Sequence, residues 1–511
     1  STRLCRSKHP AYRRVDSSRV RLETPGLDTP GRETVAKPWL GDAAEVAGGT
    51  TMDVVPTDPS ADNEPQPAVG SRRAFLAGAG AAAVAGLATA CSGSDVAQVA
   101  GAETAPTETA PTETAPTETA PTETAPTETA NGELASLQPT ASLTPVSFFG
   151  DHQGGVLLAP APAGLVASFD VITADRAALV GAMEALSTEV ERLMSNQAIE
   201  PVDEFLPPAD SGVVDELTGT TGVAVTLAVG SSLFDDRFGL SDQRPRELVP
   251  MPRFFNDRLV RDELSGGDLS VTITAPDQQT AVFALHQIAR VTGRQLRLRW
   301  VQEGYNQLLP ERPGQVARTR NLLGFRDGTS NLDPADVDVM REFVWVQPGD
   351  DEPEWAVGGT YQAARIIRML IEFWATAALV RQEQIFGRHR DTGAPLGQQA
   401  EGDQPTFVSN PNDDAIPRRA HMRLANPRTP GTGRILRRGF SYLNGADRDG
   451  TLDQGLLFLC YQRALSTGFL EVQTRLDGEP LEDYVKPIGG GIFFVLPGPA
   501  QGGWLGESLF A

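Results

Sequence analysis

Beyond Thr144 the apolar positions follow two rhythms. "DRAALVGAMEALSTEVERLM" and "DQQTAVFALHQIARVTG" repeat them at helical spacing and predict amphipathic helices. "GGVLLAPAPAGLVASFDV", "TGVAVTLAVG", "GDLSVTITA" and "LRLRWVQEGY" alternate, or run apolar, and predict strands. The strands are too few and the loops too long for a doubly wound parallel sheet, so the pattern predicts an antiparallel α+β fold. A second half repeats the theme in "REFVWVQ", "TYQAARIIRMLIEFWATA", "ILRRGFSYL", "GLLFLCYQ" and "GIFFVLPG", with long stretches rich in Asp, Pro and Gly between about 387 and 432. Two such halves, 144–320 and 321–511, packed side by side would make a cleft, and long loops beside a core are where ligand sites usually sit.

Upstream the pattern changes character. Residues 71 to 92, "SRRAFLAGAGAAAVAGLATACS", put two arginines before an uncharged run of Ala, Gly and Leu and end on small residues, which reads as an export signal over 71–91. The run from Ala74 to Ala90 is short and weakly apolar for a hydrocarbon layer of ~30 Å, and Ser-Arg-Arg-x-Phe-Leu resembles a twin-arginine signal. Cleavage after Ala88-Thr89-Ala90 and lipidation of Cys91 are both compatible with the sequence. The first methionine is Met52, so residues 1 to 51 read as an extension ahead of the start, and 1–70 are assigned no fold. Between the signal and the globular part, 92–143 form a linker in which Pro-Thr-Glu-Thr-Ala occurs five times. Repeated proline and like charge without aromatic residues make an extended spacer.

Charge and cysteine content narrow the function. Sixty-six acids against 44 bases leave a formal charge of −22, which argues against a nucleic-acid partner. The three cysteines, Cys5, Cys91 and Cys460, form no metal, redox or haem-attachment pair.

Candidate chemistry then comes from scattered residues. After the signal there are four histidines. His286 lies on a predicted helix and His389 in a charged loop; His152 opens the first strand, and His421 sits in "RRAHMRLANPR" before an Asn-Pro turn. Alone, each reads as structural. In "ILRRGFSY" strand alternation sends one of Arg437 and Arg438 toward the core and the other away. The inward cation needs an anion to offset burial, and Asp327, in "GFRDGTSNL", is a candidate. Taken alone, Asp327-Gly328 is a hairpin signal.

Together these motifs carry a resemblance. "DHQGG", "GFRDGTSN", "GRHRDTGAPLG", "RRAHMRLANPR", "ILRRGFSY" and "GLLFLCYQ" resemble the dye-decolorising haem peroxidases, and more narrowly their twin-arginine-exported branch associated with bacterial iron uptake. The resemblance covers 146 to 511 and implies two ferredoxin-like halves with antiparallel sheets in a dimeric α+β barrel-type fold. It implies haem b, one per chain, with His421 as iron ligand, Asp327 as distal acid and Arg437 as distal arginine. It also implies a lining from Gly328, Thr329, Ser330, Asn426, Pro427 and Arg428, with Arg428 near a propionate and Leu457 and Phe458 as apolar neighbours. Phe440 stands where tyrosine is commoner.

The implied reaction reduces hydrogen peroxide and oxidises bulky aromatic donors or ferrous iron. Peroxide cleavage needs a proton carried from one oxygen to the other, which a carboxylate of pKa ~3.9 can do under acid conditions. Arg437 would stabilise the charge that develops. His421 wants a carboxylate on its other ring nitrogen, and the sequence names none. Large donors would be oxidised through Trp300, Trp345, Trp355, Trp374, Tyr305, Tyr361, Tyr442 or Tyr461. The alternative is an extracytoplasmic iron-acquisition protein that binds haem and releases its iron, a deferrochelatase, working with an iron-permease system. The resemblance further implies a homodimer, and the export signal a periplasmic, cell-envelope or extracellular location with Cys91 a candidate lipid anchor.

Overall fold

The computed structural model describes residues 146–199, 202–214, 219–307, 319–426 and 433–511. The export signal, the repeat linker, Pro427 and Arg428 therefore lie outside the described residues. Among the described residues no helix is long and apolar enough to cross a membrane.

The first half runs β1 (Ala163–Val171), α1 (Arg176–Met194), β2 (Ala224–Gly230), β3 (Leu269–Ala275), α2 (Gln278–Thr292) and β4 (Leu296–Tyr305). Both helices start where an aspartate satisfies a free backbone donor: Asp175 accepts from Ala177 N at 2.9 Å and Asp277 from Thr280 N at 2.8 Å. α1 then buries Leu179, Met183, Leu186 and Val190, one per turn, against the sheet. Only the second part of "GGVLLAPAPAGLVASFDV" is a strand. Gly154–Val156 is a single 3₁₀ turn, and Pro160 and Pro162 have no N–H to give a ladder.

In the second half α3 (Val337–Phe343) precedes β5 (Thr360–Met369). The short helices α4 (Ile371–Trp374), α5 (Leu379–Phe386) and α6 (His421–Leu424) follow, then β6 (Leu436–Arg437), β7 (Phe440–Ala446), β8 (Leu452–Gln462), α7 (Phe469–Leu476) and β9 (Val485–Val495). "ILRRGFSYL" breaks at Arg438-Gly439, yet its register against β8 is continuous, with Leu436 opposite Tyr461 and Phe440 opposite Leu457.

Each half has the β-α-β-β-α-β order of a ferredoxin-like unit, and the strand order β5-β9-β2-β3-β1-β4-β7-β8 joins them. β8 pairs in turn with β5, so the antiparallel sheet closes on itself and leaves no free edge between the halves. Alternation divides each strand between the barrel interior and the outside. Val166, Trp300, Ile366, Phe440, Leu457 and Tyr461 pack together inside. Outside the first half, Leu179, Met183, Leu186 and Ile288 of α1 and α2 pack on Leu165, Phe169 and Val271.

Candidate active site

Outside the second half, the short helices cover the sheet only in part, with Met369 of β5 packed against Trp374 and Ile385. Over the rest, a cavity of about 280 Å³ separates them. Its sheet side is formed by Arg365, Ile367 and Met369 of β5 with Leu456 and Phe458 of β8, and its helix side by Phe386 of α5, His421 of α6 and Phe469 and Leu476 of α7. An apolar chamber with a few convergent polar groups is the usual form of a cofactor site.

His421 opens α6 and its ring lines this cavity. Its Nδ1 lies 2.9 Å from both carboxylate oxygens of Glu479, a buried residue, which leaves Nε2 as the ring nitrogen available to the cavity. Burial pushes the His421 pKa down, but the charge and hydrogen bond of Glu479 outweigh it, and the net shift is upward. An imidazole held by a carboxylate on one nitrogen is oriented and made more electron-rich at the other, the arrangement of a metal-ligating histidine.

Asp327 sits on the same cavity in a tightly turned loop, where Gly328 (φ 79°) and Ser330 (φ 59°) are both left-handed. Gly328 adopts this at no steric cost; Ser330 is a strained non-glycine residue. The loop is held from three sides. Phe325 stacks on Phe386 with ring centroids 3.9 Å apart. Thr329 Oγ1 and Arg326 Nη1 each donate to Glu401, at 2.8 Å. Asn331 clasps β6: its Nδ2 donates to the Arg437 carbonyl and its Oδ1 accepts from Arg437 N, both at 2.9 Å. Arg437 Nη2 completes the tie by donating to the Thr329 carbonyl at 2.7 Å.

The two adjacent arginines have opposite fates. Arg437 faces the cavity, while Arg438 points into the barrel, where burial lowers its pKa to about 10. Arg438 Nη1 donates to the Arg437 carbonyl at 3.0 Å and the side chain meets no carboxylate among the described residues. The expected pairing of the inward arginine with Asp327 is thus corrected: it is the outward one, Arg437, that shares a chamber with Asp327.

Gly328, Thr329, Ser330 and Asn426 line the cavity with Asp327, Arg437 and His421. Phe458 does as well, but Leu457 points into the barrel, and the β8 neighbour on the cavity side is Leu456. Phe440 also faces the barrel interior, where Gly164 and Gly304 make room for it; a Cβ at either glycine would lie 2.5 Å from the Phe440 side chain. A tyrosine at that position would put its phenol in the barrel, not in the cavity. The other histidines among the described residues stay away from the cavity. His286 is exposed on α2, His389 Nδ1 is 3.2 Å from Glu383, and His152 stacks on Trp345 at 4.0 Å while its Nδ1 lies 2.7 Å from the Gly358 carbonyl.

Sequence reasoning missed Glu479 and Asn331. Glu479 is 58 residues beyond His421, and no local pattern links them. Asn331 stood in the quoted motif, and its position three residues after Gly328 was the available signal.

Comparison with known proteins decides what this chamber belongs to. Residues 153–306 match the N-terminal and residues 318–500 the C-terminal model of the Dyp-type peroxidases. The chain belongs to the Dyp-type peroxidase family. This Dyp-type peroxidase is 44% identical over 365 residues to the deferrochelatase of Yersinia pseudotuberculosis, covering 71% of this chain and 84% of that protein. It is also 44% identical over 366 residues to that of Escherichia coli K12, covering 71% and 86%. Among solved structures, ferric DtpA from Streptomyces lividans superposes with a TM-score of 0.65 at 33% identity, covering 73% of this chain and 99% of that one. A DyP-type peroxidase from Streptomyces coelicolor gives the same four figures. The chain is a haem peroxidase with the two-half ferredoxin-like α+β barrel. Its cavity fits that cofactor: a carboxylate-bonded imidazole on one wall, apolar side chains along the faces, and the guanidinium groups of Arg388 and Arg434 at the lining.

Proposed function

We propose that this protein binds one haem b per chain through His421 and uses hydrogen peroxide to oxidise bulky aromatic donors or ferrous iron. The observation that carries the reading is the convergence of Glu479-bonded His421, Asp327 and Arg437 on one apolar chamber. The bound haem supplies the redox chemistry. Glu479 accepts a hydrogen bond from Nδ1 of His421 and fixes the ring, which would leave Nε2 to hold the haem iron. Asp327 takes a proton from one peroxide oxygen and delivers it to the other, so that water departs. Arg437, locked by Asn331 and the Thr329 carbonyl, presents fixed positive charge to the breaking bond. Gly328, Thr329, Ser330 and Asn426 would complete the haem surround, and Pro427 and Arg428, outside the described residues, are proposed as further haem-binding residues, Arg428 for a propionate.

A second reading, release of iron from haem as a deferrochelatase, is favoured by the names of the two relatives at 44% identity. Under either reading the proposed organisation is an export signal of the twin-arginine type at 71–91, a spacer at 92–143, and globular halves at 144–320 and 321–511. The proposed setting is a homodimer in the periplasm, in the cell envelope or outside the cell, with Cys91 a candidate lipid anchor and an iron-permease system a candidate partner. The test is an absorption spectrum of the purified protein before and after peroxide. A Soret band that changes on peroxide addition, and is missing when His421→Ala is purified, supports the assignment; full haem in that variant overturns it. Free porphyrin lacking iron after incubation with haem would separate the second reading from the first.

A further inference from the structure

The barrel interior holds a cation that no carboxylate offsets. Arg438 is only 9% exposed, and its backbone N–H is fixed in the sheet by the Leu459 carbonyl at 2.9 Å. Its Nη1 donates to the Arg437 carbonyl at 3.0 Å, whereas Nε and Nη2, the two nitrogens along one edge of the guanidinium, meet no acceptor among the described residues. With its pKa lowered only to about 10, the group still carries its charge at neutral pH. Arg438 lines a second, much smaller cavity of about 10 Å³, which it shares with the polar side chains of Thr272, Thr274 and Tyr461. Gln362 Nε2 donates to Thr272 Oγ1 at 3.0 Å and to the Tyr461 hydroxyl at 3.1 Å, so those two oxygens are engaged. Thr274 Oγ1 has no partner among the described residues. Apolar Pro160, Phe440 and Leu459 close the remaining walls.

A buried guanidinium needs both hydrogen-bond acceptors and a compensating charge. Water supplies the first and not the second, while an anion supplies both. A cavity of this volume admits one particle of about the size of water, which excludes sulfate, phosphate and carboxylate ligands. No acidic side chain lines it to repel a negative ion. We propose that this cavity is a halide site, in which one chloride is held between Nε and Nη2 of Arg438 and the hydroxyl of Thr274. Chloride is little larger than water and accepts from all three donors at once. Thr274 belongs to β3 of the first half and Arg438 to the turn between β6 and β7 of the second, so the ion ties the two halves together through the barrel interior. It also steadies the residue whose Nη1 holds the Arg437 carbonyl, on the far side of the sheet from the haem chamber's own contacts. Pro160, exposed in the segment ahead of β1, covers the mouth, and exchange with solvent passes there.

The site does not depend on the peroxidase reading, and its test uses the purified, haem-loaded protein. Crystals grown in sodium bromide are measured at the bromine absorption edge, and thermal unfolding is followed in solution against sodium chloride and, at equal ionic strength, sodium gluconate, whose anion is too large for the cavity. An anomalous peak within hydrogen-bonding distance of Arg438 Nε and Nη2 is the expected result, with a Tm that rises and saturates in chloride beyond its course in gluconate. Thr274→Val should weaken the apparent chloride affinity about fivefold, and Arg438→Leu should abolish the chloride-specific rise. The crystals and Thr274→Val decide the matter where Arg438→Leu does not fold. A bromide on the haem iron gives its peak in the larger chamber and is not counted. Density that refines as water without a bromine signal overturns the proposal. So do coincident chloride and gluconate curves, which would mean binding at crystal concentration only, and a chloride-specific rise that survives in Arg438→Leu, which would put the ion elsewhere.

Discussion

The two halves share one strand order and differ in what covers it. In the first, α1 and α2, of 19 and 15 residues, lie directly on the sheet and their apolar stripes fill the space with Leu179, Met183, Leu186 and Ile288. In the second, the covering helices α6 and α7 have 4 and 8 residues and a long loop replaces the rest, leaving a chamber of about 280 Å³. Long amphipathic helices solidify a ferredoxin-like unit. Short ones, tied down by polar contacts such as His421 of α6 on Glu479, leave room for a ligand.

Substitutions can break this contrast at several strengths. The largest effect belongs to His421→Ala, which should remove essentially all haem while leaving the first half folded, as read by Soret absorbance against circular dichroism. Next, Asp327→Asn and Arg437→Leu should keep haem but slow the stopped-flow reaction with peroxide by about 10²–10⁴-fold and 10²–10³-fold respectively. Glu479→Gln should weaken haem retention by about 10–100-fold in a competition with apomyoglobin, since its carboxylate orients His421. In the first half, Leu186→Ala should lower stability in urea by about 2–5 kcal/mol and leave peroxide kinetics untouched. Leu456→Ala should cost the haem-free protein less than Leu186→Ala, because Leu456 faces a chamber and Leu186 is fully packed.

The smallest expected effect tests the polar ties of the second half. Arg463 Nε donates to Asp350 at 2.6 Å. Burial raises the Asp350 pKa, but the Arg463 bond, the Gln347 N–H and the Arg463 charge outweigh it and the net shift is downward. A carboxyl depressed on folding contributes stability that is fully present above its unfolded pKa of about 3.9 and lost as pH falls through the lower folded value. Arg463→Met should therefore lower the haem-free protein's stability near neutrality by up to about 1 kcal/mol, with the loss fading as pH falls through the folded value so that the acid limb flattens; an unaltered curve would show that the pair contributes nothing.

Most of the first half was legible. Helical and alternating periods located α1, α2 and β2–β4 because each buries one face of a regular element, and burial leaves its period in the sequence. The proline-rich start of "GGVLLAPAPAGLVASFDV" misled, because apolar composition there lacks the N–H groups a strand needs. In the second half the pattern thins, since α4 and α6, of 4 residues each, are too short to show a period.

Sequence alone was enough to establish the α+β character, the two-half plan and the presence of His421, Asp327 and Arg437 as chemically interesting side chains. Alternation also required that Arg437 and Arg438 diverge. Which of the two faced the cavity depended on the closure of the barrel, because β6 acquires an inside and an outside only when β8 pairs with β5. The partnership of His421 with Glu479 and the clasp of Asn331 on Arg437, 106 residues away, were likewise decided by tertiary contact. Residues so distant along the chain leave no periodic trace of each other, and only the folded backbone brings their hydrogen-bonding groups within reach.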